Sequence, residues 1–130
     1  MRVYYAHPMS WYNGHHERAD VERLEALGHE VLNPNSPFFA DQVKDLRSRG
    51  LGHMVMEPFM KAVSECDAVA FRPFLDGKLG AGVAKEMLEG IVQGKPVFHV
   101  MTPERPCLGI LMGELLTIEQ TRARIREGTL

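Results

Sequence analysis

The sequence predicts an α/β fold, a three-layer sandwich in which a parallel sheet of about five strands is covered by helices on both faces. Short β-branched and aromatic runs alternate with longer amphipathic segments along the chain. This alternation is typical of parallel sheets with crossover helices. One run, "AVAFRPF", is almost entirely apolar, as expected for a strand covered on both faces. No repeat or linker interrupts the 130 residues, so we expect residues 1–130 to form a single domain.

The first half of the chain predicts two strands, a helix and a long excursion. "RVYYA" at 2–6 predicts a buried first strand. "NGHHERADVERLEALG" predicts a helix with apolar residues on one face and charges on the other, and Gly28 ends it. "HEVLNP" predicts a second, short strand. Residues 33–52 hold several prolines and glycines around "FADQVKDLRSR", which predicts a lid or binding loop with a short helix.

The second half predicts three helices and three strands. "HMVMEPFMKAVSECD" predicts a helix that starts near Pro58, and "AVAFRPF" predicts the third strand. Residues 81–93 predict the next helix, ended by Gly94, and "KPVFHV" predicts the fourth strand. Residues 108–116 are expected to contain a fifth strand. The capping box "TIEQ" at 117–120 predicts a terminal helix over "IEQTRARIRE".

This order of elements indicates a flavodoxin/Rossmann-like sheet, with the first and third strands side by side. In such folds ligands bind at the carboxyl ends of the strands, near the point where the strand order reverses. Two loops would face each other there, "AHPMSWYN" after the first strand and "RPFLDGKLGAG" after the third. We therefore expect the functional site between these loops.

Composition excludes several classes of partner. The net charge is −2 and there is no basic tract, so a nucleic acid polymer is not expected as a partner. No apolar run approaches the ~18 residues that span a bilayer, and the first residues do not resemble a signal peptide. Cys66 and Cys107 stand in apolar contexts and suit a reducing compartment. The expectation is a cytoplasmic protein without a membrane partner.

Two glycine-rich stretches do not match the standard nucleotide motifs. Gly90 to Lys95 lacks the spacing and the hydroxyl residue of the phosphate loop. The glycines at 80–82 resemble the start of the dinucleotide fingerprint, but Lys85 takes the place of its third glycine, and the motif follows the wrong strand. The turn at 80–82 either offers backbone N–H groups to an anion or only connects strand and helix, and both interpretations stay open.

Metal and serine-hydrolase chemistry have no support in the sequence. His15 and His16 are adjacent and point to different sides of a helix, and the two cysteines lack CxxC spacing. Ser10 is not part of a GxSxG elbow. No metal and no cofactor are therefore expected.

Three segments carry a family resemblance through their order and spacing. They are "VYYAHP", "GHEVLNP" and "CDAVAFRP…LGAGVAKEMLEGIVQGKPVFHV". Together they resemble the nucleoside 2-deoxyribosyltransferase-like family, which includes nucleoside monophosphate N-glycosidases, over about residues 2–35 and 60–100. The resemblance implies an enzyme that cleaves or transfers the N-glycosidic bond of a small nucleoside or nucleotide. It also implies a homodimer or a higher homo-oligomer.

The resemblance implies specific residue roles. Spacing alone does not decide whether Glu86 or Glu89 faces the cleft. The family glutamate lies eight residues before the glycine of Gly-Lys-Pro, however, and counting back from Gly94 gives Glu86. Its implied role is that of nucleophile, with Tyr4 orienting it. The implied substrate contacts are His7, Pro8, Ser10, Asp76, Gly80, Gly82 and Glu57.

Three departures from the family pattern leave other functions open. Gly80 stands where the family often has Ser or Asp, so Asp76, Lys78 or Ser10 would have to recognise the 5′ group. His7 stands in place of a glycine. Phe59 stands in place of a carboxylate, with Glu57 near but out of register. The alternatives are a non-catalytic nucleotide-binding or sensing module and a structural or assembly protein.

Overall fold

The computed structural model describes residues 1–130 and contains one four-stranded parallel sheet. The spatial order β2-β1-β3-β4 places the first and third strands side by side, as predicted. The sheet and its flanking helices confirm the α/β class. The strands are β1 (Arg2–Ala6), β2 (Glu30–Leu32), β3 (Ala68–Phe71) and β4 (Val97–His99).

Five α-helices flank the sheet and make it the middle layer of a sandwich. Alternate residues of β1 point to opposite faces, and each face has its own apolar core. Val3 and Tyr5 pack with α1, whereas Tyr4 and Ala6 pack with α2, α3 and α4. The helices are α1 (His15–Ala26), α2 (Pro37–Ser48), α3 (Glu57–Glu65), α4 (Ala81–Val92) and α5 (Ile118–Glu127).

The expected fifth strand is wrong. Residues 108–116 contain only a 3₁₀ turn at Met112–Glu114 and an isolated bridge between Leu79 and Leu115. After β4 the chain turns back along the free edge of this strand, where Pro106 forms a single antiparallel bridge with Phe98. Pro106 has no N–H group with which to extend a ladder, and glycines interrupt the apolar run that follows it.

Helix α4 approaches the sheet closely because Gly90 has no side chain. A Cβ atom built at Gly90 would lie 2.9 Å from Cγ2 of Val69 and 3.0 Å from Cγ2 of Val97. Real Cβ atoms do not come that close to neighbouring carbons, so any larger residue would push the helix outward. The absence of a side chain at Gly90 thus determines how closely α4 approaches the sheet, and with it how close Glu86, one helical turn earlier, lies to β1.

Helix α5 and the residues after it bind the two loops at the carboxyl end of the sheet. Ser10, in the loop after β1, donates a hydrogen bond to the Thr129 carbonyl at 2.5 Å. The backbone N–H of Ala81 donates to Oγ1 of Thr121 at 2.9 Å. The capping box that begins α5 at Thr117 is present, as predicted. None of the helices is long and apolar enough to cross a membrane.

Candidate active site

Tyr4 and Glu86 form a buried hydrogen-bonded pair. The Tyr4 hydroxyl, on β1, donates to Oε2 of Glu86, on α4. Tyr4 is fully buried, and only 6% of Glu86 is exposed. Glu86 shares the inner face of α4 with Val83, Met87 and Gly90, which are buried as well. The structure therefore brings together the two residues that the sequence singled out for catalysis.

The carboxyl group of Glu86 has no cationic partner. Burial raises its pKa to about 8, although the hydrogen bond from Tyr4 acts in the opposite direction. Burial and the neighbouring glutamate also raise the pKa of Tyr4 well above its usual value, so Tyr4 acts as a neutral donor. A buried carboxyl that no cation compensates is costly to maintain, and such groups are concentrated at functional sites.

The opposite face of the sheet offers a direct comparison. Tyr5 donates to Asp20 at 2.6 Å, in parallel with the bond from Tyr4 to Glu86. Asp20, however, also accepts hydrogen bonds from Nε and Nη2 of Arg72, at 2.9 and 3.1 Å. Tyr5, Asp20 and Arg72 thus form a satisfied ion-pair network, which is typical of structural support. Of the two tyrosine-bound carboxyls, only Glu86 lacks a counter-charge.

His7 and Pro8 are the first two residues of the loop after β1, and both are buried. The His7 ring stacks on Tyr5 at 3.9 Å, and its Nε2 lies 2.7 Å from Oε2 of Glu17. Burial lowers the pKa of His7. Burial alone would raise the pKa of Glu17, but hydrogen bonds from His7 and Asn35 outweigh it and lower that pKa. Both predicted contact residues, His7 and Pro8, are buried, and His7 is engaged with protein groups.

Ser10 and Asp76 are also engaged with protein groups, in both cases near the C-terminus. Ser10 donates a hydrogen bond to the Thr129 carbonyl. Asp76 is exposed and accepts two hydrogen bonds from Arg124, at 2.9 and 2.7 Å. This pairing lowers the pKa of Asp76 to about 2. Either side chain would have to exchange or extend these bonds to contact a substrate.

The glycine turn leads directly into α4. Gly80 is the N-cap residue, is buried, and lies against Thr121. Gly82 is half-buried in the first turn, where an added Cβ would lie 4.0 Å from Cε of Met56. Gly80 and Gly82, which the resemblance implies on the sugar or 5′-phosphate side, thus lie at the N-terminal end of the helix that carries Glu86.

Glu57 lies apart from the Tyr4–Glu86 pair. It is exposed in the first turn of α3 and lines a surface groove between α2 and α3, together with Asp41, Asp45 and Lys61. Glu86 does not line this groove, nor the smaller one around Arg2 and Leu32. In this conformation the Glu86 carboxyl is covered by protein.

Two further residues contact predicted site residues or the start of α4, although sequence patterns did not identify them. Burial, together with the charges of Glu86 and Glu17, raises the pKa of Tyr12. Its ring centroid lies 4.9 Å from that of His7. Thr121 reaches the start of α4 from the terminal helix. The only available signal was the position of Tyr12 in a loop at the carboxyl end of β1.

No group of three or more histidine, cysteine or acidic side chains is placed to hold a metal ion. Glu86 and Tyr4 instead combine one proton-binding carboxyl with one neutral phenol. Such a set can donate or accept hydrogen bonds to a sugar. It can also present a carboxylate to an electrophilic carbon once the proton has left Glu86.

No protein-family model matches the sequence, and no curated protein matches it significantly. Among solved structures, the chain is similar to one described as the Clostridium botulinum CMP N-glycosidase BcmB. The alignment covers 98% of this chain and 97% of that chain, with 17% sequence identity and a TM-score of 0.45.

Proposed function

We propose that the protein is a glycosidic-bond enzyme that cleaves or transfers the N-glycosidic bond of a nucleoside, a deoxynucleoside or a nucleoside 5′-monophosphate. Glu86 is the nucleophile and Tyr4 its supporting residue. The observation that carries the proposal is the buried Glu86 carboxyl, bonded to Tyr4 and compensated by no cation. It lies on the helix that follows β3, beside the point where the strand order reverses.

The chemistry needs a carboxylate close to the anomeric carbon. As the bond from C1′ to the base breaks, its electron pair leaves with the base, which then takes a proton from water. Positive charge develops on the sugar, and an oxygen of Glu86 bonds to C1′. Water, or a second base, then displaces the glutamate and regenerates the enzyme. Tyr4 holds the carboxyl in one orientation through both steps.

The protonation state of Glu86 sets the pH range of this reaction. Its pKa of about 8 means that the carboxylate predominates only above that pH in the free enzyme. The value of kcat/KM reports ionisations of the free enzyme. It is therefore expected to rise about tenfold per pH unit below pH 8 and to level off above it.

A panel of nucleosides and 5′-monophosphates, assayed for free base, tests the proposal. Wild-type protein should release base from at least one member, and Glu86→Gln should release it at least about a hundredfold more slowly. Glu89→Gln is the matched control, because Glu89 lies one turn further along α4 and bonds only to Gln93. Adding a second free base separates transfer from hydrolysis. Absence of base release, or equal rates in both variants, would reject the proposal.

The alternative, a non-catalytic nucleotide-binding or sensing module, is favoured by one observation. Glu86 is covered, and it lines neither the groove between α2 and α3 nor the groove around Arg2 and Leu32. If the protein is such a module, a nucleotide should raise the midpoint of its thermal unfolding, and the nucleotide concentration should stay unchanged through the assay. Consumption of the ligand would decide for the enzyme.

We also infer a homodimer or higher homo-oligomer. The segment after β4 exposes several large apolar side chains, a pattern that marks interaction surfaces. Ile110 and Cys107 in the same segment pack against the core, so the segment is anchored while its outer side is free. The exposed residues are Leu108, Leu111, Met112 and Ile118.

A further inference from the structure

We propose that residues 113–130 form a C-terminal strap that closes the candidate active site, and that the ion pair between Asp76 and Arg124 is its latch. The strap opens to let a small molecule reach the Glu86 carboxyl. This inference goes beyond the proposed function, because it concerns access to Glu86 and not the reaction that takes place there.

The covered position of Glu86 requires some part of the structure to move before a reactant can reach it. Only 6% of Glu86 is exposed, and it lines neither the groove between α2 and α3 nor the groove around Arg2 and Leu32. The adjacent strands β1 and β3 are paired on both sides, and α4 packs into the apolar core. These elements do not separate without disrupting the core, so a peripheral element has to open.

The strap has the weakest apolar anchoring of the helical elements. Its helix, α5, is the only one of the five α-helices without a buried residue. By contrast, α2, in the segment that the sequence predicted as a lid, is anchored in the core by Phe39. Segments that open locally are those with few buried apolar contacts. The strap is therefore the element whose movement exposes the least apolar surface.

Hydrogen bonds tie the strap to both loops at the carboxyl end of the sheet. Ser10, in the loop after β1, donates to the Thr129 carbonyl at 2.5 Å. Leu75, in the loop after β3, donates its backbone N–H to the Leu130 carbonyl at 3.1 Å. These loops follow adjacent strands, so the strap bridges the position at which ligands enter sheets of this kind.

The pair of Asp76 and Arg124 is the only ion pair between the strap and the rest of the protein. The guanidinium group donates to both carboxylate oxygens, at 2.9 and 2.7 Å. The pairing lowers the pKa of Asp76 to about 2, so the latch stays charged at neutral pH. The Asp76 side chain is half-exposed, and ion pairs in contact with water are weak and sensitive to salt. A weak bond of this kind suits a latch that opens reversibly.

Carbodiimide modification with glycine ethyl ester measures access to Glu86 without any substrate. Mass spectrometry of fragmented peptides separates Glu86 from the half-buried Glu89, which serves as the internal reference. The rate for Glu86 relative to Glu89 should rise at least about threefold in Asp76→Asn and in Arg124→Gln. Asn at position 76 keeps an oxygen for the Lys78 N–H, so the turn is retained.

A matched variant and a double variant identify the ion pair as the cause. Arg126→Gln makes the same chemical change at an exposed position of α5 and should leave the ratio at the wild-type value. The double variant Asp76→Asn/Arg124→Gln should react no faster than either single variant, because both remove the same bond. Sodium chloride at about 1 M should raise the ratio in wild type but not in Asp76→Asn.

Glu17 separates opening of the strap from general unfolding. It is buried to the same extent as Glu86 but lies on α1, against the opposite face of the sheet. Its modification rate should stay at the wild-type value in every variant. Unchanged modification of Glu86 in Asp76→Asn and Arg124→Gln, or an equal rise at Glu17 or in Arg126→Gln, would overturn the inference. Absence of base release would reject the proposed function and leave the strap standing.

Discussion

At the scale of single residues, two adjacent tyrosines show how similar hydrogen bonds serve different ends. Tyr5 contributes to an ion-pair network in which Arg72 balances Asp20. Tyr4 is the only hydrogen-bond partner of the Glu86 carboxyl. The missing counter-charge is what distinguishes a candidate catalytic carboxyl from a structural one, and it has consequences for stability as well as for activity.

Replacing Glu86 by Gln is expected to stabilise the fold at high pH. The folded-state pKa of about 8 lies above the ordinary value of 4.5. The folded state therefore binds the proton more tightly, and raising the pH between these values costs about 1.4 kcal/mol of stability per unit. The stability of Glu86→Gln relative to wild type should rise by about 3 kcal/mol or slightly more from pH 5 to pH 8. Urea unfolding at both pH values measures it, and a difference that is independent of pH would contradict the assignment.

Replacing Tyr4 by Phe is expected to shift the pH dependence of kcat/KM to higher pH. The hydrogen bond from Tyr4 lowers the pKa of Glu86, so its loss raises that pKa. The rising limb of kcat/KM should then shift to higher pH, with a constant fold-loss of activity well below pH 8 that disappears above the raised pKa. Tyr5→Phe is the control, because it removes a bond on the opposite face and should leave the limb in place. A limb unmoved in Tyr4→Phe would refute the coupling.

At the scale of elements, helix α4 carries the site, and its position depends on close packing at Gly90. Sequence patterns placed this helix and its C-terminal glycine well, because strand and helix periodicities are local properties. They predicted one strand too many. Pro106 and the glycines after it prevent strand pairing with β4, but that effect depends on a neighbouring strand that local patterns do not show. They also missed the contact from Thr121, since a long-range contact leaves no periodic trace in the chain.

Gly90→Ala is expected to destabilise the protein by about 1–3 kcal/mol, because its Cβ would overlap Val69 and Val97. The shift of α4 should also displace Glu86 from Tyr4 and reduce base release. Gly109→Ala serves as the control, since nothing lies within 4 Å of a Cβ at that position. Thermal unfolding of the two variants provides the comparison, and equal midpoints would show that α4 does not depend on this contact.

At the scale of the whole molecule, the C-terminal quarter shapes the site without forming any strand of the sheet. Helix α5 closes the carboxyl end of the sheet through Ala81 and Asp76, and Thr129, just after the helix, does so through Ser10. The sequence predicted the helix from its capping box, and predicted the site from the order of the strands. Where α5 would lie could not be predicted, because its contacts are polar bonds between residues far apart in the chain.

The apolar side chains exposed after β4 are expected to lie between copies of the chain. Leu111→Glu should lower the molar mass in light scattering, because a charge in an apolar interface has no partner there. Leu27→Glu, an exposed leucine just after α1, should leave the mass unchanged. A wild-type protein that remains a monomer at high concentration would contradict the proposed assembly.

The central claim, that Glu86 attacks the sugar, is tested most directly by rapid acid quenching during turnover, followed by peptide mass spectrometry. The mechanism predicts a pentose or deoxypentose adduct on the peptide that contains Glu86, and its absence from the Glu86→Gln protein. An adduct on a different residue would contradict the claim. So would full base release by Glu86→Gln without any adduct.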